Sequence, residues 1–257
     1  MTSPGARRPV LDGFVLVAVL AVLWQLLHLA VGDLALTSPW RTVVAAAALL
    51  QSPDVWPHLA ETGIALLQAY AIAVAVGLPV GLLLGAHRLS GDVAEPMLAA
   101  LYAIPKITLY PVILLIFGIG MPAKIAFGAI HGAVPIVLFS LNAVRTLDPI
   151  YLRTARVLRL RPLAVARTIL VPAAVPEIFT GLRVGFALTL VGTLMGEMFG
   201  AQRGLGYLLM QAMGVHNMQT ILSLTLILVA FAVTVSVVLL RVDRRLHRHR
   251  AVQTITT

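Results

Sequence analysis

The sequence predicts an all-α membrane protein of about six transmembrane helices, with the N- and C-termini both cytoplasmic. Three observations carry this reading. Hydrophobic residues make up 60% of the 257 residues and charged residues only 11%, against about a quarter charged in ordinary soluble domains. Several uncharged runs approach or exceed the roughly 20 residues that a helix needs to cross a bilayer core. Lys and Arg are spread unevenly over the segments that join those runs. The composition excludes a soluble globular domain and a disordered chain, which both need far more polar surface. A net charge of +9 does not point to nucleic acid, because the cations flank apolar runs. The chain has no cysteine, which excludes disulfides, thiolate metal sites and cysteine nucleophiles.

The first span is the uncharged run 13–32. The second, 62–86, carries Gly77, Gly81 and Gly85 at every fourth position, a smooth stripe that lets another backbone come close. Pro79 in its middle should bend it. The third, 97–117, is interrupted by Pro105, Lys106 and Pro111, and the fourth, 125–144, holds His131 and Pro135. The uncharged stretch 184–196 is too short to span, so the fifth helix is extended past Arg183 and Glu197 to 176–199. The sixth, 218–240, leads into a basic tail at 241–257. That tail reads as a stop-transfer flank or as a site for acidic lipid headgroups.

Orientation follows from the cations. Of 19 Lys and Arg, fourteen fall on the side of the N-terminus, the 87–96 loop, the 145–172 loop and the tail. Arg41, Lys124 and Arg203 fall on the other side, while Lys106 and Arg183 lie inside runs. The cation-rich side is cytoplasmic, and an even number of spans places both termini there.

Ionisable groups inside the runs are costly unless they face protein or water. Lys106 is the first candidate for a translocation path, since a cation there could meet an anion. It could equally snorkel or bond a carbonyl freed by Pro105. Glu197, near the end of the fifth span, is the second path candidate.

The 145–172 connection lacks the Gly/Ser composition of a flexible linker. Asp148-Pro149 can start a helix. Tyr151, Leu152, Ala155 and Leu158 recur at helical spacing, Arg153, Arg156 and Arg159 form a basic stripe on another face, and Pro162 stops this helix or starts a second one. This is an amphipathic surface helix, touching lipid or docking a cytoplasmic partner.

The sequence has no Gly-x-x-x-x-Gly-Lys-Ser/Thr loop. It shows no carboxylate or His cluster suited to a metal, and its serines lack a nucleophile-elbow signature. No cofactor is expected, and the chain is not expected to be an enzyme or to hydrolyse ATP itself. The competing reading is an ATP-independent secondary transporter or channel. Against it stand the absence of a visible internal repeat and of paired midplane carboxylates.

The 145–172 loop also resembles the coupling loop of permease subunits of binding-protein-dependent ABC importers. That family carries Glu-Ala-Ala, three residues, Gly, nine residues, Ile, one residue, Leu-Pro. Ile169-Leu170-Val171-Pro172 fits its end with Val for Leu, while Arg153 and Arg159 stand at the Glu and Gly positions. Ile104-Pro105-Lys106, Pro111 and Phe117-Gly118-Ile119-Gly120 resemble the nitrate, sulfonate and taurine branch. So do Gly181-Leu182-Arg183, Gly196-Glu197-Met198-Phe199-Gly200-Ala201 and Gly204-Leu205-Gly206-Tyr207.

The resemblance implies a single permease domain of the type I importer fold in the cell's inner or plasma membrane. It implies two cytoplasmic ATPase subunits, a second permease chain (a second copy or a different one) and an external binding protein. Leu152, Arg153, Ala155, Arg156, Leu158, Arg159 and Pro172 would couple the chain to the ATPase. The solute would be a small organic or inorganic anion such as a sulfonate, or a small heterocyclic precursor.

The orientation is open to a direct check. Cysteines placed at Ser3 and Thr254 should resist impermeant thiol reagents in intact cells and react once the membrane is opened. Labelling of either from outside overturns the assignment.

Overall fold

The computed structural model describes residues 8–251, apart from 34, 148–149, 151–152, 154, 156, 159–160, 166–167 and 170. For 8–11, 14, 162–163 and 242–251 it describes the backbone alone. Among the described residues every regular element is helical. The chain forms two compact units, Met1–Trp56 with Leu208–Ala230, and Pro57–Tyr207 with Phe231–Thr257.

In the first unit, α1 (Arg8–Val31) is followed by α2 (Pro39–Gln51). Helix α2 occupies a stretch where the sequence reading has only a connection. Its local signal is present: Pro39 opens it and the Ser38 side chain accepts the Arg41 amide. The turn between the helices is held from α1. The Trp24 indole N–H donates to the Thr37 carbonyl (3.1 Å), and His28 Nδ1 lies 2.6 Å from the Leu36 carbonyl.

In the second unit, α3 (Val55–Ala86) leads to α4 (Arg88–Ala103), a 3-10 turn (Lys106–Leu109), α5 (Tyr110–Phe117) and α6 (Met121–Arg145). A single helical turn, Pro162–Val165, precedes α7 (Val171–Gly200) and the start of α8 (Leu205–Gly214). The final helix, α9, runs Met218–Ala251.

The most extensive helix pairing is α6 against α7. Glycines make it. A Cβ on Gly185 would strike the Ile136 side chain, and one on Gly192 would lie 2.8 Å from the His131 ring. A Cβ on Gly196 would come within 2.9 Å of Lys124 Cα, and one on Gly132 would strike Thr189 Oγ1. Lipid tails offer no hydrophobic drive for helices to associate, so close van der Waals contact between small residues carries the pairing. The stripe expected on the second span also packs on α6. Gly77 faces Ile136, Gly81 the Val137 carbonyl, and Gly85 the Leu141 carbonyl.

The third expected span is not one helix. Helix α4 ends at Ala103, and the two halves of the run meet at 85°. Pro105 supplies no amide to Leu101 and disfavours helical geometry at Ile104, so the ladder stops there. Four helices are long and apolar enough to cross a membrane among the described residues, and the bent pair adds a fifth if it is one span. Helix α1 reaches the expected six only when its whole backbone extent is counted, since its described apolar stretch is Val15–Val31. The fifth span also begins earlier than 176: α7 starts at Val171 and takes in both Pro172 and Pro176.

The surface is inverted relative to a water-soluble protein. Leu115 is 87% exposed while Lys124 is fully buried. A lipid-facing chain places its apolar side chains outside and satisfies its polar ones within.

The two kinds of glycine in α3 give a contrasting pair of substitutions. At Gly81 a Cβ would lie 2.5 Å from the Val137 carbonyl and 2.6 Å from Ser140 Cβ, both on a packed helix. Gly81→Val should lower stability by about 1–3 kcal/mol, read as a drop in the melting temperature of the detergent-purified protein. Gly63, with nothing within 4 Å, should accept Ala without loss. Equal behaviour of the two variants would refute the close α3–α6 contact.

Candidate functional site

Two regions at opposite ends of the α6–α7 pair carry the charged chemistry. Helix α6 begins near Lys124 and ends at Arg145; α7 begins at Val171, beside the 145–172 segment, and ends near Glu197. The first region is therefore a buried polar knot and the second is that segment.

The knot joins α3, α6 and α7. Lys124 Nζ donates to Glu61 Oε1 (3.0 Å) from α3, to Glu197 Oε1 (3.4 Å) from α7, and to the Arg203 carbonyl (3.3 Å). The Glu197 side chain has no exposed surface, whereas that of Glu61 is partly open. A charge taken out of water is tolerated only when it is paired and its remaining lone pairs are filled. Glu197 meets that condition: the Thr62 hydroxyl lies 2.9 Å from both of its oxygens, and the Gly206 amide donates to Oε2 at 3.0 Å. Removing Lys124 would leave a buried anion uncompensated, a change that costs about 3–5 kcal/mol.

The same side chains complete the start of α8. The first amides of a helix have no partner inside it. Here three in succession are taken up by other elements. The Leu205 amide donates to Thr62 Oγ1 (2.8 Å) and the Gly206 amide to Glu197. The Gly204 amide donates to Nδ1 of His58 (3.1 Å) when that ring is neutral with its proton on Nε2. The His58 ring stacks parallel to Tyr207 with centroids 6.1 Å apart. A carboxylate at this end also meets the positive pole of the helix. Gly204 is required twice over. Its φ is +125°, and a Cβ there would run into the Glu197 carboxyl group.

Of the residues singled out from sequence, Glu197 is thus spent on its own chain. Lys106 lies apart, at the α4–α5 break. Its Nζ donates to the Tyr102 carbonyl (3.1 Å), which the break leaves without its helical amide, and sits 5.3 Å from the centre of the Tyr102 ring. It acts as a side-chain cap on α4. His131 bonds the Phe127 carbonyl through Nδ1 (2.9 Å) and packs on the Phe127 ring.

In the 145–172 segment, Leu152, Arg156 and Arg159 lie outside the described residues. Arg153 is exposed and helical, Leu158 is 62% exposed, and Pro172 is exposed in the first turn of α7. Ala155 is only 4% exposed, so it faces its own chain, while Val157 is open. The preceding helix is anchored: Arg145 pairs with Glu95 (2.6 Å) and with Asp92, both on α4. Among the described residues no His, Cys, Asp or Glu group of three or more could hold a metal ion.

Sequence reasoning missed Lys124, Glu61, Thr62 and His58 as members of one cluster. Lys124 counted as a cation on the side opposite the tail, and nothing local announces a pairing across 63 or 73 residues.

Comparison with known proteins places the chain. Residues 77–252 match the family described as binding-protein-dependent transport system inner membrane component. The chain is 26% identical over 213 residues to SsuC of Bacillus subtilis (strain 168), a permease named for aliphatic sulfonates transport. The match covers 82% of this chain and 77% of that one. It is also 26% identical over 215 residues to the taurine transport system permease protein TauC of Escherichia coli (strain K12), covering 81% and 78%. Among solved structures it is similar to an inward-facing form of the MetNI methionine ABC transporter. There the TM-score is 0.63 at 24% identity, over 75% of this chain and 94% of that one. That likeness shows the fold, the type I permease fold. Together with the apolar helices, these findings make the chain a multi-pass inner-membrane permease.

Proposed function

The chain belongs to the binding-protein-dependent transport system inner membrane components, and from that premise we propose that it is the pore-forming subunit of an ATP-driven importer for a small anion. The observation that carries the solute class is the naming of SsuC and TauC for aliphatic sulfonates and taurine. These are small molecules whose common group is a sulfonate, an oxyanion that favours a cationic route. Lys106 supplies such a cation at a broken helix, the kind of backbone that membrane transporters place where it lines a cavity. One of its three ammonium protons is engaged by Tyr102, which leaves donors for an oxyanion.

Energy comes from outside the chain, which has no phosphate-binding loop. In this reading two cytoplasmic ATPases drive a pair of permease chains, a second copy or a different one, and an external binding protein delivers the solute. The cation bias puts the 145–172 segment in the cytoplasm. There the exposed Val157 and Leu158, beside exposed Arg153, offer an apolar patch with a basic edge. Ala155, turned inward, supports that helix from behind rather than touching the ATPase.

Two substitutions test the two ends of this reading. Leu158→Asp should release the ATPase from the purified complex and abolish uptake while membrane insertion stays normal, because the residue lies outside the spans. Full ATPase content with full uptake would remove this segment as the coupling element. Lys106→Met should cut uptake of taurine or an alkyl sulfonate at limiting solute by about tenfold, the scale of one lost charged hydrogen bond. Unchanged uptake in reconstituted vesicles would return Lys106 to helix capping alone.

A further inference from the structure

We propose that Thr62 and Glu197, steadied by Lys124, are positioning residues for translocation: they fix the turn Ala201–Gly204 and the first turn of α8 onto α3, at the end of the bundle away from the 145–172 segment. The proposal rests on the importer reading above, which makes that end the one where solute enters.

The geometry is specific. Three consecutive amides, of Gly204, Leu205 and Gly206, end on His58, Thr62 and Glu197, two residues of α3 and one of α7. Thr62 has both roles at once. Its oxygen accepts the Leu205 amide and its proton goes to the Glu197 carboxylate. It therefore links α3, α7 and α8 directly, as Glu197 does from α7. Lys124 closes the arrangement from α6 and also holds the Arg203 carbonyl. The backbone on either side of the turn is thereby fixed, while the side chains of Gln202 and Arg203 stay exposed.

The contacts differ in how readily they part. Glu197 is sealed and has Thr62, Gly206 and Lys124 around it, whereas Glu61 is partly open and bonds Lys124. The turn is therefore held on α3 and α7 together, and the Glu61–Lys124 contact between α3 and α6 is the arm most open to water. Neither Thr62 nor Glu197 needs to touch the solute to act in this way.

Thr62→Val keeps the shape of the side chain and removes both hydrogen bonds, and Thr62→Ser restores them. The test is the complex of permease, ATPase and binding protein in lipid vesicles, read as taurine or alkyl sulfonate imported per ATP hydrolysed. Thr62→Val should lower that ratio by about tenfold, the scale of one buried hydrogen-bonded group left unsatisfied, and Thr62→Ser should return it to near the parent value. Amide exchange at 204–206 should speed up in Thr62→Val and not in Thr62→Ser. A purely structural role would reduce the amount of complex, and with it import and hydrolysis together, leaving the ratio unchanged. An unchanged ratio in Thr62→Val therefore overturns the inference, as does slow exchange at 204–206. A parent complex that imports no solute would sink the importer reading and this inference with it, whereas a parent that imports normally beside an unaffected Thr62→Val would sink the inference alone.

Discussion

Helix α6 can touch both α3 and α7 closely because glycines line both contacts. Everything else in the larger unit depends on that spacing. Gly196 has no side chain where α7 crosses Lys124, so the two backbones come together there. The next residue, Glu197, then stands within reach of the Lys124 ammonium. Had the helices been held apart by ordinary side chains, the carboxylate would have faced lipid, where an unpaired charge is expensive. Tight packing and charge burial are thus one constraint. Tyr110 adds to it from α5, donating to the Gly196 carbonyl (2.6 Å) and packing its ring on Phe127.

The α6–α7 pair also joins the two functional ends. By helical rise α6 is about 38 Å long and α7 about 45 Å. Each has one end in the polar knot and the other at the 145–172 segment. Displacement at one end reaches the other along these rods or is taken up as sliding in the glycine seam. Arg145 stiffens the segment's end of α6 by its pairs to Glu95 and Asp92.

What could be read from the sequence follows from the range of each interaction. The stripe at Gly77, Gly81 and Gly85 was legible because helix periodicity alone puts every fourth residue on one face. The break at Pro105 was legible as an interruption, since proline acts on its nearest neighbours, but its 85° turn depends on tertiary packing. Helices α2 and α8 were not read as elements, being short and apolar between longer apolar runs. The family motif at Gly196 to Tyr207 identified the right stretch without its physics. Glu197 could be noticed, yet its partners lie on α3 and α6, and no local pattern connects Thr62 to a residue 135 positions away. In the 145–172 segment the spacing marked an amphipathic helix. Which residues of it turn inward, as Ala155 does, depends on the surrounding fold.

The buried knot has a consequence for how the chain is made. A membrane protein is inserted from its N-terminus, and Lys124 leaves the ribosome 73 residues before Glu197. During that interval the ammonium has only Glu61, itself partly open to water, to balance it. The helices bearing them are therefore kept from full surrender to the lipid until α7 arrives. The order of synthesis makes α7 the segment that completes the knot, and its glycine-lined face is what admits it against α3 and α6.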